Sequence, residues 1–288
     1  MESKSVVVTG ASGGLGSATV ARLSELGWQV FAGVRAAQAG ARLAQGRANV
    51  TPLQLDICDE DSVVEARDRV AGQLEGRGLD GLVNNAGLVV QGPIELLPRH
   101  ALKRQFDVNV IGQIAVTQAF LPLLRAGRGR VVNVSGAAGR VAVPMLGAIS
   151  ASKAALESLS DALRMELKHQ GVQVSVVAPG LLRTRLHEKS TEAAHRDGYA
   201  GSPESQRIYE AAIRHLEDSL RNAKEAPVDI AVTTIIRALT SRRPAARYVV
   251  GRDAKQLLLL KGLPDPMRDR LLLWNRGLTR ELFKAERP

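Results

Sequence analysis

Thr9-Gly10-Ala11-Ser12-Gly13-Gly14-Leu15-Gly16 sets four glycines between the apolar run Val6-Val7-Val8 and an amphipathic segment reaching Leu26. Glycine lets backbone pass close to a ligand. A helix that starts on such a loop aims free N–H groups and the positive end of its dipole at whatever is bound there. A pyrophosphate is the group this suits, and the position after a first strand favours it over an ordinary tight turn. The next apolar run, Trp28–Val34, is followed by Arg35. Dinucleotide sites that take NAD place a carboxylate there for the ribose hydroxyls; a guanidinium instead pairs with a 2′-phosphate. Ser12 offers a further hydroxyl donor. The expected cofactor is therefore NADP(H).

The elements that must position these groups are legible in the apolar pattern. Strand-like runs at Val6–Thr9, Trp28–Val34, Val50–Leu55, Leu79–Val83, Arg130–Val134, Gln173–Val177 and Tyr248–Val250 alternate with helical stretches. The helices are expected up to Leu26, near Ala36–Gln45, over Glu60–Leu74, in a long segment ending near Arg125, and over Ser150–Gln170. This alternation predicts an α/β chain, a Rossmann-type doubly wound parallel sheet in a single domain 1–288 with helices on both faces. Residues 186–226 are polar and carry Gly198, Gly201 and Pro203. A long excursion after a late strand lies over the carboxyl ends of the strands, so this segment is expected to be a substrate lid. Residues 252–288 are expected to be a helical C-terminal extension.

The chain has 288 residues, 45% hydrophobic, with no run of the ~18 consecutive apolar residues that a membrane span needs. Its first strand begins almost at once, which leaves little room for a signal peptide. Cys58 is the single cysteine, so no internal disulfide can form. A cytoplasmic location is expected on these grounds. The net charge is +10, but the arginines are scattered and aromatics are only 3%, too few for base-stacking platforms; nucleic acid is not an expected partner.

Further motifs follow in order: Asp56-Ile57 after the third strand, Asn84-Asn85-Ala86-Gly87 after the fourth, Asn109 in the next helix, and Pro179-Gly180 with Leu182 and Thr184 after the sixth. With the glycine-rich octet, these resemble the short-chain dehydrogenase/reductase family over residues 5 to about 185. Arg35, Ser12 and the long C-terminal extension look most like its 17β-hydroxysteroid and retinol dehydrogenase branch. The resemblance implies that Asp56 and the Ile57 backbone hold the adenine. It places Asn85, with Ala86 and Gly87, by the nicotinamide ribose, whose hydroxyls Lys153 grips. Pro179, Gly180, Leu182 and Thr184 would position the nicotinamide and pyrophosphate, and Asn109 would anchor a water in a proton relay.

One departure bears on catalysis. The family's general acid is a tyrosine four residues before the lysine, with a serine thirteen residues before the tyrosine. Here those positions hold Ile149 and Gly136. Neighbouring Ser135, Ser150 and Ser152 are displaced from them and none is a phenol. Loss of a general acid costs about 10²–10⁴-fold in rate. Three readings stay open. Hydride could pass to an activated acceptor, an iminium or conjugated enone of a bulky apolar substrate, with any proton drawn from lid residues His187, His195, Tyr199 or Tyr209. The scaffold could instead serve a non-redox cyclase or isomerase. It could also be a catalytically silent pseudoenzyme or partner subunit. The retained cofactor motifs favour the first.

The helix carrying Ala154, Leu156, Leu159, Leu163 and Leu167 pairs with a second subunit in the family, which implies a homodimer or homotetramer. The apolar tail, Leu257–Leu260 and Leu271–Trp274, could lie on a membrane surface. Packing over the substrate pocket is the role expected of it.

Overall fold

Alternating valines build the centre of the sheet. In β1 (Ser5–Val8), Val6 and Val8 face one side and Val7 the other, because successive side chains of a strand point to opposite faces. The computed structural model describes residues 3–278 and Leu282. β2 (Gln29–Val34), β3 (Val50–Gln54), β4 (Gly81–Asn84), β5 (Arg130–Val134), β6 (Gln173–Pro179) and β7 (Arg247–Val250) complete a seven-stranded sheet in the order β3-β2-β1-β4-β5-β6-β7. Every pairing is parallel. The winding reverses between β1 and β4, which pair Val8 with Val83. A crevice therefore opens at the carboxyl ends of these two strands.

On one face, α1 (Gly14–Glu25) and α9 (Asp229–Thr240) bury Val20, Leu23, Ile235 and Leu239 against Val6 and Val8. On the other, α3 (Glu60–Leu74) and α5 (Gly112–Ala126) bury Val70, Leu74, Phe120 and Leu124 against Val7 and Phe31. α2 (Ala37–Ala44) flanks β3. α4 (Arg99–Phe106) runs into α5 through a wide π-helical turn, Asp107–Ile111. The whole stretch Arg99–Ala126 is long and apolar enough to cross a membrane, but its Val116, Phe120 and Leu124 are core residues of the sheet.

α6 spans Gly147–Glu166, so it starts three residues before the expected Ser150 and stops short of Gln170. Ser150 N–H reaches back to the Leu146 carbonyl, which draws Ile149 into the first turn. A 3₁₀ turn, Lys168–Gln170, closes on Gly171 in the left-handed conformation, φ 79°, the usual stop for a helix. The expected lid is two helices, α7 (Leu186–Asp197) and α8 (Pro203–Arg221). Ser202 caps α8 by accepting the Ser205 N–H at 3.1 Å, with Pro203 in its first turn. α9 was not among the expected helices. The extension holds α10 (Arg252–Leu259) and α11 (Asp265–Asn275); residues 279–281 and 283–288 of that expected extension lie outside the described ones.

Candidate active site

The glycine octet forms the floor of the crevice. Gly10 has φ 62°, and a methyl group on it would come within 2.6 Å of Ala86 Cα. A methyl on Gly16 would strike the Gly10 carbonyl, and one on Gly14 would lie 2.9 Å from Thr184 Cγ2. These contacts pack the octet against the loops after β4 and β6, where any larger side chain would push them apart. Thr9 Oγ1 accepts both the Asn85 and Ala86 N–H at 3.0 Å. Asn85 Nδ2 donates to the Thr9 and Gly10 carbonyls at 3.0 and 3.1 Å, so its amide nitrogen is spent on holding the octet. No side chain caps α1, whose N-cap is Gly13, and Leu15 is buried beneath it. The first N–H groups of the helix thus stay available to an anion.

Around this floor lie the other residues that the resemblance assigns to a cofactor. Arg35 and Ser12 are exposed, and the Arg35 guanidinium makes no ion pair among the described residues. Asp56 Oδ1 accepts the Cys58 N–H at 3.0 Å, and Ile57 is buried under Gly112. Gln113 Nε2 donates to the Ala86 carbonyl. Gly87 is exposed, and a methyl there would lie 3.3 Å from Asn109 Oδ1 and 3.7 Å from Lys153 Nζ. Gly180 N–H bonds the Val250 carbonyl at 2.9 Å, and Leu182 is buried in a bridge to Ala226. A glycine cradle, with a guanidinium and a buried lysine that bond no carboxylate among the described residues, fits a phosphorylated dinucleotide.

Lys153 is buried on α6, its Nζ donating to the Val134 carbonyl at 2.8 Å. Burial pulls its pKa down to about 8, against an opposing effect of Glu157. Asn109, in the π turn, accepts the Leu88 N–H and donates to the Leu88 carbonyl, both at 2.9 Å, and so fixes the backbone next to Gly87.

Ile149 stands one turn before Lys153, packed with Val89, Val143 and Leu146 and against Ala138 and Leu257. A methyl on Gly136 would meet only the Pro179 carbonyl oxygen, at 3.8 Å, so this position is open space. The nearby serines are occupied or aside. Ser150 Oγ donates to the Leu146 carbonyl at 2.9 Å and accepts from Val143 N–H. Ser152 Oγ donates to the Ile149 carbonyl at 3.0 Å and accepts from Gln105. Ser135 Oγ is buried without a partner.

Of the four lid candidates, two face outward. His195 is 64% exposed and pairs with Glu217 at 3.0 Å, and Tyr209 bonds the exposed Glu95 at 3.0 Å. Tyr199 packs over Gly92 with its hydroxyl buried and unpartnered, and burial, with Glu217 adding, pushes its pKa up to about 12. His187 has a buried, unpartnered Nδ1; burial first and Arg276 second hold its pKa below the usual imidazole range.

Two sets of residues that the sequence reading did not single out also shape the site. Ser190 Oγ donates to the Val89 carbonyl and lies 3.0 Å from Gln91 Oε1, while Gln91 Nε2 donates to Thr191 Oγ1. This buried chain fastens α7 to the loop after β4. Asp253, at the start of α10, accepts the Leu181 N–H at 2.7 Å. Leu257, one turn along, packs on the Ile149 cluster.

Comparison with known proteins agrees with this geometry. The family model described as short chain dehydrogenase matches residues 4–195. A 3-amino-tetrahydro-pyrrolizinone reductase of Xenorhabdus hominickii is 39% identical over 259 residues, 88% of this chain and 89% of that protein. Human retinol dehydrogenase 5 is 36% identical, covering 93% of this chain and 87% of its own. Among solved structures, a short chain dehydrogenase of Burkholderia cenocepacia in complex with NADP superposes with a TM-score of 0.72 at 28% identity, over 96% of this chain and 98% of that one. Sequence motifs, strand order and crevice lead to one conclusion: this chain belongs to the short chain dehydrogenase family, whose members use a nicotinamide cofactor.

Proposed function

We propose that the chain is an NADPH-dependent reductase that delivers hydride to an acceptor already poor in electrons, an iminium or a conjugated enone, on a bulky apolar substrate. The observation that carries this is Ile149, an aliphatic side chain in an apolar cluster where a proton donor would otherwise stand. The bound dinucleotide supplies the hydride; the chain's residues hold it and shape the acceptor site. An iminium carbon that takes hydride becomes an amine with no proton added. An enone that takes hydride at its β-carbon leaves an enolate, which needs one proton, and water at the lid or a lid side chain can provide it. Gly136 leaves room beside the acceptor, and Val89, Val143, Leu146 and Leu257 give it apolar walls. Arg35 at the end of β2 supports NADPH over NADH, as does the NADP in the Burkholderia relative. The reductase name of the Xenorhabdus relative, with its amino-substituted pyrrolizinone, supports a nitrogen-bearing substrate.

Assembly through the helices flanking the site belongs to the same reading. Ile111 is 61% exposed and Met165 62%, and Leu159 is also exposed. These apolar side chains on the π turn and α6 support a homodimer formed there.

The test compares NADPH consumption with a cyclic iminium and with the ketone of the same ring skeleton. The iminium should be reduced at least about 100-fold faster. The paired substitution Gly136→Ser with Ile149→Tyr should raise ketone reduction. Equal rates on ketone and iminium in the unmodified protein would overturn the proposal.

A further inference from the structure

Exposed apolar side chains of the C-terminal segment line up on one side of α11. Met267, Leu271 and Trp274 follow one another at i, i+4 and i+7, which puts them within about 60° of the helix circumference. All three are exposed, Met267 to 56% and Trp274 to 80%. Leu272, on another side, is the residue that α11 buries. The helix is thus apolar on two sides, one taken up by the fold and one left open. α10 ends in a similar way: Leu259 is 77% exposed and follows one turn after the exposed Lys255. Among the described residues, Trp274 and Leu259 are the most exposed of the large apolar side chains.

The charges around this stripe are sorted by sign. Residues 252–276 carry six Lys or Arg and three Asp. Asp265 and Asp269 both pair with Arg268, at 2.8 and 3.7 Å, and Asp253 accepts the Leu181 N–H. Lys255, Lys261 and Arg270 are exposed and form no ion pair among the described residues. Arg270 stands one turn before Trp274, so cation and indole share a face. An outward apolar stripe edged by unpaired cations matches the boundary between acyl chains and anionic headgroups, where Trp is favoured. A second copy of this chain fits the stripe less well. Each copy has a net charge of +10, and a twofold contact would bring these cations toward themselves.

We propose that α11, with the end of α10, docks the chain on the surface of an anionic lipid membrane. Met267, Leu271, Trp274 and Leu259 enter the acyl boundary, while Lys255, Lys261 and Arg270 meet the lipid phosphates and carboxylates. With 11 residues, α11 is too short to cross a bilayer and lies in the plane of its surface. Leu257, two residues before Leu259, packs on the Ile149 cluster, so the docked segment also walls the apolar chamber. The docking itself does not depend on which acceptor takes the hydride.

The full chain carries its own probe. Its two tryptophans are Trp28, which is buried, and Trp274, so an emission change on adding lipid reads Trp274. Vesicles of phosphatidylcholine mixed with phosphatidylserine should shift that emission to the blue. They should bind at least about tenfold tighter than phosphatidylcholine alone, and high salt should erase the difference. Met267→Glu with Leu271→Glu should weaken vesicle binding at least about tenfold and leave NADPH affinity within about twofold. No binding of the unmodified protein to the mixed vesicles at low salt would overturn the proposal, whether or not the variant folds, and so would equal binding to both kinds of vesicle. A blue shift that grows with protein concentration in the absence of lipid would also overturn it, because the stripe would then belong to a contact between copies of the chain. Each of these outcomes leaves the hydride-transfer reading untouched, since none measures NADPH consumption.

Discussion

Lys153 holds its charge in a place that disfavours charge. Burial brings its pKa from 10.5 down to about 8, and its only bonded partner among the described residues is the Val134 carbonyl. The family role of this ammonium is to grip ribose hydroxyls, so NADPH affinity should fall as pH rises from 7 to 9, with proton uptake on binding above pH 8. Calorimetry in buffers of different ionisation enthalpy would show both. The effect on stability has the opposite sense. Between about pH 8 and 10.5 the unfolded chain keeps the proton that the folded chain has released, so stability rises with pH across that window. Denaturant titrations of the cofactor-free protein at pH 7.5 and 10 should show this rise, and Lys153→Met should remove it. Arg35 makes a separate prediction. Arg35→Ala should weaken NADPH binding about 10- to 100-fold and leave NADH nearly unchanged, since one charge-assisted contact to the 2′-phosphate is lost.

Among the elements, local signals were readable and long-range ones were not. The octet, Asp56 and Pro179-Gly180 each sit at a strand end, where the switch from period-two to helical patterning marks their place, and Lys153 lies inside a helix whose apolar stripe is itself local. The Ser190–Val89 bond spans 101 residues and the Asp253–Leu181 bond 72, so neither leaves a local trace. The same holds for Ile149: its identity was plain, but not that Val89 and Leu257 would close around it. α9 was not expected although Ala231, Val232, Ile235, Ala238 and Leu239 keep helical spacing, because it follows a long polar segment with no strand signal between them. The lid fastening is testable. Ser190→Ala leaves the buried Gln91 Oε1 without its contact, which should cost about 1–3 kcal/mol. Amide exchange should speed up along α7 more than along α9, which packs on the sheet instead.

For the whole molecule, the arrangement of exposed apolar side chains makes the strongest claim. Ile111, in the π turn, and Met165, on α6, are both exposed. Ile111→Lys with Met165→Lys should convert the proposed homodimer to monomer in analytical ultracentrifugation and leave NADPH binding within about threefold, because neither residue is part of the octet.

β7 pairs beside β6, and the Asp253 carboxylate just past β7 holds the backbone of Leu181. The family model ends at residue 195, before either of these. During synthesis, then, the ribosome delivers the octet and its strands long before the part that fixes the loop after β6. The octet and its strands can therefore come together before the loop after β6 acquires the carboxylate that holds it. Asp253→Ala, with every octet residue intact, should loosen the loop after β6 and leave the octet and its strands in place, a difference that amide exchange at Leu181 against Val8 would read.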